Sequence, residues 1–248
     1  MKSKLKKILL ITAVAAVVGL STNSVYAMHI AEGMLSPFWS VLWSAAYIPF
    51  FIWGYFAIKK KCAGSPRLKM LLAMSGAFCF VLSALKIPSV TGSSSHPTGV
   101  GIGTVLYGPA VMSFVGFIVL LFQALILAHG GLTTLGANSF SMAVAGPFAG
   151  YAVYCIARKL KAPAWLSVFL SAFIADLFTY VVTSFQLALA FPADAFTSSL
   201  VKFMTVFALT QIPLAVIEGI VTVMVYNAVN ALCTEEVTLL TSLNRRTA

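Results

Sequence analysis

The chain of 248 residues is 60% hydrophobic and only 9% charged, and 16 Lys and Arg against 6 Asp and Glu give it a net charge of +10. Soluble domains carry roughly 25% charged residues, so a water-soluble enzyme, a disordered chain and a disulfide-stapled secreted domain are all excluded. The cations sit in short clusters between long apolar runs, which is the orientation signal of an inner-membrane protein and not a nucleic-acid footprint.

The first 27 residues have the layout of a secretory signal. Lys2, Lys4, Lys6 and Lys7 form a basic start, and Ile8 to Leu20 is an apolar core. That core falls short of the ~20 residues a span needs. Small residues around Val25-Tyr26-Ala27 suit a signal peptidase, so cleavage is expected after Ala27. The expected division is a signal peptide over 1–27, a transmembrane domain over 28–235 and a cytoplasmic tail over 236–248. Cleavage there makes Met28 a free amino terminus outside the cytoplasm, with His29 second. An α-amine has a pKa near 7.7–8.0, so a metal can displace its proton at neutral pH. The amine, the His29 backbone nitrogen and the His29 imidazole can then chelate one ion together.

Apolar spans follow in order. Phe38 to Ile58 is closed by Lys59, Lys60 and Lys61, and Arg67 and Lys69 make that loop cytoplasmic. Met70 to Ile87 is the second span. Pro88 to Gly99 is a polar loop without charge that contains His96. Val100 to Ala128 is apolar but broken at Gly108-Pro109, and His129 to Asn138 is a second uncharged, glycine-rich loop. Ser139 to Ile156 ends at Arg158, Lys159 and Lys161, and Pro163–Ala190 and Leu200–Leu232 supply two more spans. With the terminus and the His96 loop outside and both basic loops inside, the chain must cross an odd number of times between Val100 and Ile156. A break at Gly108-Pro109 meets that condition with a short first crossing. The expected fold is all-α integral membrane with about seven transmembrane helices and the C-terminus inside; a re-entrant Val100–Gly108 segment also fits the pattern.

All three histidines, His29, His96 and His129, fall on the extracytoplasmic side. Imidazole is the commonest ligand for divalent first-row metals. The Met28-His29 chelate leaves one in-plane position open, which His96 can fill. Four nitrogens in a square suit Ni(II) or Cu(II), and Co(II) can be accommodated. The bland alternative is a set of ordinary loop and terminal histidines. His129 is read first as a loop residue bonded to backbone, otherwise as a further ligand or a group behind the ligands. Glu32 can orient the terminal site as an acceptor. Asp176 and Glu218 are intramembrane acids, read as structural partners of neighbouring helices ahead of any functional role. Cys62, Cys79, Cys155 and Cys233 form no C-x-x-C pair and are read as small core residues. No phosphate loop, H-E-x-x-H or G-x-S-x-G occurs, so no ATPase site or enzyme activity is expected.

Three stretches in order, Met28-His29-Ile30-Ala31-Glu32-Gly33-Met34-Leu35-Ser36-Pro37, Ser95-His96-Pro97-Thr98-Gly99 and His129-Gly130-Gly131-Leu132-Thr133-Thr134-Leu135-Gly136-Ala137-Asn138, resemble the CbiM/NikM family. These are the substrate-capture (S) components of energy-coupling factor (ECF) transporters for cobalt and nickel. The resemblance implies the six-helix S-component fold plus an extra N-terminal helix, whose amino terminus tucks inward to bind metal. Its ligands fall on Met28 (amine), His29 (backbone and imidazole) and His96 (imidazole), provided cleavage exposes Met28. It implies Co2+ as transported substrate for cobalamin biosynthesis, with Ni2+ as the alternative, and ATP used only by partner subunits. Those partners are a transmembrane coupling (T) subunit, which Ala73-x-x-x-Ala77 would contact, ATP-binding (A) subunits and a small accessory membrane subunit; no nucleic acid is implied. Glu at position 32 looks more like the cobalt branch. Two competing readings are a haem- or quinone-binding redox protein using histidine axial ligands, and a vitamin-binding S component that would not need His29.

Overall fold

The computed structural model describes residues 29–88, 94–193 and 195–247. The expected signal segment and Met28 lie outside them. Helix α1, Pro37–Lys61, opens with proline in its first turn and ends on Lys59, Lys60 and Lys61. Those cations complement the negative end of its dipole. Ser65 caps α2, Pro66–Ala84, by accepting from the Leu68 backbone N–H at 3.3 Å. A two-residue ribbon follows, with β1 (Ile87–Pro88) antiparallel to β2 (Ser94–Ser95). Residues 96–100 carry no regular structure and lead into α3, Gly101–Tyr107. Gly108, at φ +82°, makes the sharp turn into α4, Pro109–Ile126. Helix α5 (Leu135–Lys159) begins with one α turn, passes through a π-helical stretch at Ser139–Ala145 and continues as α from Gly146. Helices α6 (Ala164–Ala190) and α7 (Phe196–Leu232) pack closely side by side, and α8 (Thr234–Thr247) ends the described chain.

Six helices, α1, α2, α4, α5, α6 and α7, are long and apolar enough to cross a membrane. Their outward faces carry Phe38, Val41, Ile52, Trp53, Phe56, Met74 and Val201, all exposed. Such a belt is a liability in water and the expected lipid surface in a bilayer. The protein is therefore a multi-pass membrane protein.

The short helix expected after Val100 is present as α3, but seven residues rise only about 10 Å and cannot cross alone. The five residues ahead of it add at most about 16 Å in extended form. Together they run from one end of the molecule to the other. His96 lies against His29, whereas the Tyr107 carbonyl accepts from Lys61 and its hydroxyl donates to the Leu68 carbonyl at 2.6 Å. All of α3 is buried, so its non-helical lead is shielded by protein, as irregular backbone at membrane depth must be.

Three apolar clusters stack along this axis. One, at the lysine end, joins Leu68, Leu71, Ile102, Tyr107, Val237 and Leu240. The middle one joins Cys79, Val100, Met112, Met142 and Ala175. The third, at the histidine end, joins Ile30, Leu35, Ala137, Tyr180 and Phe207. The stretch read from sequence as a tail is thus mostly α8, folded back under α3. Its Asn244 amide donates to the Leu106 carbonyl at 3.0 Å and its Leu240 is buried.

Candidate metal centre

Ile30 is the anchor that brings the N-terminal segment inward. Its side chain is buried, and its backbone N–H donates to the Asn138 amide oxygen at 2.8 Å. Its carbonyl accepts from Asn138 Nδ2 at 3.0 Å and from the Thr134 hydroxyl at 2.7 Å. The glycine-rich loop can approach because it lacks side chains where contact is tightest. A Cβ on Gly131 would stand 2.5 Å from Glu32 Cα, and one on Gly136 would stand 2.5 Å from Ser44 Cα. The Glu32 carboxylate accepts from the Thr133 backbone N–H at 3.2 and 3.3 Å, and the Gly33 N–H donates to the Thr133 hydroxyl at 3.2 Å. Glu32 therefore braces the loop, not the imidazoles. Hydrogen bonding from the Thr133 side chain first, and from its backbone N–H after it, holds the carboxyl below the usual glutamate range.

His96 is fixed from behind. Its Nδ1 pairs with the Pro97 carbonyl oxygen at 2.9 Å, and its own carbonyl accepts from Gln211 Nε2 at 3.1 Å. The same Gln211 nitrogen donates to both Asp176 carboxyl oxygens, at 2.7 and 2.8 Å. Glu218 accepts from the Gly99 N–H at 2.9 Å and from the Thr98 hydroxyl at 2.9 Å, as well as from the Thr98 N–H. The two acids, read from sequence as structural, are structural in a particular way: they tie α6 and α7 to the loop that carries His96. Gln123 holds the third histidine, since its carbonyl accepts from the His129 N–H at 3.1 Å, and its side chain lies against His29.

The three imidazoles meet. Ring centroids lie 4.5 Å apart for His29 and His96, and 4.8 Å for His129 from each of the others. One donor atom from each ring lies within 4.8 Å of the others. Two nitrogens bound on opposite sides of an ion at ~2.1 Å stand about 4.2 Å apart, so small ring shifts suffice to close on one cation. Rings in such contact leave no slot between them for a flat macrocycle, which removes the haem reading. Each Nε2 is buried and has no hydrogen-bond partner. A buried nitrogen without a partner costs free energy, and three such imidazoles packed together offer a set of ligand lone pairs. Burial, with the neighbouring imidazoles as the next cause, holds His29 well below its ordinary 6.5. Burial lowers His96 to about 4 and His129 to about 2. The rings are thus neutral, which is the form that binds metal.

The structure therefore brings together three of the five expected site residues: His29, His96 and His129. Met28 is outside the described residues, and Glu32 faces the loop. His129 is a loop residue bonded to backbone through its own N–H, and its ring packs against the other two imidazoles with Nε2 unpartnered. Sequence reasoning missed Asn138, Gln211 and Gln123. Each is an uncharged amide within or at the end of an apolar run, and buried amides there must find partners.

A family model described as "Cobalt uptake substrate-specific transmembrane region" (CbiM) matches residues 29–235. The chain is 62% identical over 212 residues to "Cobalt transport protein CbiM" of Chlorobium limicola, covering 85% of this chain and 84% of that one. It is 56% identical over 229 residues to the protein of the same name from Streptococcus sanguinis, covering 92% and 94%. A solved structure described as "Crystal Structure of an Truncated Transition metal Transporter" superposes with a TM-score of 0.71 at 25% identity, covering 82% of this chain and 98% of that one. A triad of buried, neutral, unpartnered imidazoles on a multi-pass helical scaffold, and this degree of likeness along nearly the whole chain, place the protein in the CbiM family.

Proposed function

We propose that the protein is the substrate-capture subunit of an ECF-type importer, binding Co2+ on the outer side of the cell membrane for use in cobalamin biosynthesis. It has no ATPase site of its own; ATP is used by A subunits, coupled through a membrane T subunit and with a small accessory subunit alongside. The observation that carries this reading is the convergence of three buried imidazoles, one nitrogen from each within 4.8 Å of the others, at one end of a membrane fold. The names carried by the relatives supply cobalt as the cargo. Ni2+ remains the second reading, because a planar set of nitrogens binds Ni(II) tightly.

In the mature protein the signal peptide is gone and Met28 is the first residue. Its amine, the His29 backbone nitrogen and the His29 imidazole chelate the ion, and His96 completes the set. Pinning of Ile30 by Asn138 and Thr134 holds that terminus in place. Seven passes, with 96–107 as the third, put the histidine end outside and the basic loops and α8 inside, in accord with the excess of cations in cytoplasmic loops. Ala73 and Ala77 are exposed on α2, where a T subunit can approach closely. The test is to place one extra residue ahead of Met28 in the mature chain, which breaks the chelate while leaving every side chain intact. Loss of high-affinity metal binding is expected; wild-type affinity would show that the terminus is not a ligand.

A further inference from the structure

We infer that the crevice between α5, α7 and α8, at the lysine end of the bundle, holds the head group of an anionic phospholipid bearing free hydroxyls, a phosphatidylglycerol. The crevice encloses about 540 Å3, within the range of roughly 300–1,000 Å3 that takes small ligands. Among the described residues that line it, Arg158 alone carries a charge, and no carboxylate opposes it. Arg158 Nη1 donates to the Ala162 carbonyl at 3.1 Å, which tethers the side chain over the turn after α5. A guanidinium has five N–H donors in a planar fork, so one such bond leaves it able to grip a phosphate.

The facing wall sorts the anion. Thr238, Thr241 and Ser242 of α8 line it, and their hydroxyls donate to backbone carbonyls of their own helix at 2.8, 2.8 and 2.7 Å. With their protons so used, these oxygens offer lone pairs. A ligand that suits both walls carries a negative phosphate at one end and hydrogen-bond donors at the other. An ammonium head group brings donors, but also a charge that Arg158 and the neighbouring Lys159 and Lys161 repel. Glycerol hydroxyls bring donors without charge. The position favours a lipid over a dissolved anion. Ile156, Leu160 and Trp165 lie beside the lining residues Cys155, Arg158 and Ala164 in sequence and are all exposed. They belong to the lipid-facing belt, and tryptophan settles at the level of the head groups. Acyl chains can therefore run along the belt while the head group enters the crevice, as in other basic pockets between transmembrane helices. The site stands apart from the histidine end and does not depend on it.

The experiment reconstitutes the full chain in vesicles of phosphatidylcholine and phosphatidylglycerol in equal parts. The protein is then extracted in mild detergent, and the lipid retained per chain is counted by native mass spectrometry. Wild type should keep phosphatidylglycerol in preference to phosphatidylcholine. Arg158→Gln should lower that retention about tenfold or more, because it removes a charged hydrogen-bonding partner. Lys159→Gln removes the same charge one residue along, outside the crevice, and should change retention less than about twofold. The double variant Thr238→Val with Thr241→Val keeps the shape of the wall. It should erase the preference for phosphatidylglycerol over phosphatidic acid, whose phosphate bears no glycerol. Unchanged retention in Arg158→Gln, or equal losses in Arg158→Gln and Lys159→Gln, would overturn the inference. So would release of the lipid by inorganic phosphate or glycerol 3-phosphate, which would make the occupant a dissolved anion.

Discussion

The two ends of the helical bundle treat buried polar groups in opposite ways. At the lysine end, Lys61 donates to the Tyr107 carbonyl and to the Asn244 side chain, and the Tyr107 hydroxyl donates to the Leu68 carbonyl. At the histidine end, three imidazoles pack together and none of their Nε2 atoms has a hydrogen-bond partner. Around them the Asn138 side chain holds the Ile30 N–H and the Glu218 carboxylate holds the Gly99 N–H. The three histidines gather one donor atom each within 4.8 Å of one another, and unsatisfied lone pairs so gathered suit a cation. The contrast identifies the working end more sharply than any single residue does.

The largest effect should come from removing a ring. His29→Ala or His96→Ala should each lower metal affinity by more than the ~10–100-fold typical of residues behind the ligands. Isothermal titration of purified protein checks this, with Cys155→Ala as the unaffected control. Retained binding in either histidine variant would put the metal elsewhere. Next comes Asn138→Ala, which strips the partner from the Ile30 N–H and one of the two donors from its carbonyl. Its loss should lower affinity ~10–100-fold without touching a ligand. An affinity within twofold of wild type would mean that the terminus holds its place unaided.

A pH series sharpens the contrast in another way. His96 titrates at about 4 in the fold against an ordinary 6.5, so between those values the unfolded chain binds more protons than the folded one. Stability therefore rises with pH across that window, and is lost as pH falls from 6.5 towards 4. The melting temperature of metal-free protein should drop on going from neutral pH to pH ~5, less so in His96→Ala. A flat profile would argue that the rings are not buried together. At the other end, Asn244→Ala should cost about 1 kcal/mol of stability through its lost bonds and leave metal affinity unchanged. Smallest of all is Arg67→Ala, since its contacts with Glu235 and Glu236 at 3.6 and 3.5 Å are at an exposed guanidinium. About 0.5 kcal/mol or less is expected from thermal denaturation.

How legible was this in the sequence? Apolar length and the basic clusters place α1, α2 and α4 to α7 to within a few residues. Gly108-Pro109 marks the turn between α3 and α4, because proline starts a helix and glycine takes the positive φ before it. The extended lead at 96–100 was not legible: its backbone is tolerated only because α7 supplies Glu218 and Gln211, more than 100 residues away. His29 and His96 could be singled out by chemistry alone. His129 could not, since its sequence neighbours are loop-forming glycines and only tertiary contact turns its ring inward. Glu32 is close in sequence to the chelate, and its contact with Thr133, 101 residues on, is one that only the folded chain reveals. The α8 segment looked like a tail because it is polar overall, but Val237 and Leu240 recur three apart and bury a stripe against α3.

The account stands most directly on the first residue of the processed chain. Protein isolated from membranes should be sequenced from its amino terminus and its bound metal counted in the same sample. One divalent ion per chain, on a polypeptide that begins at Met28, is the predicted result. A full complement of tightly bound metal on a chain that begins anywhere else would contradict it.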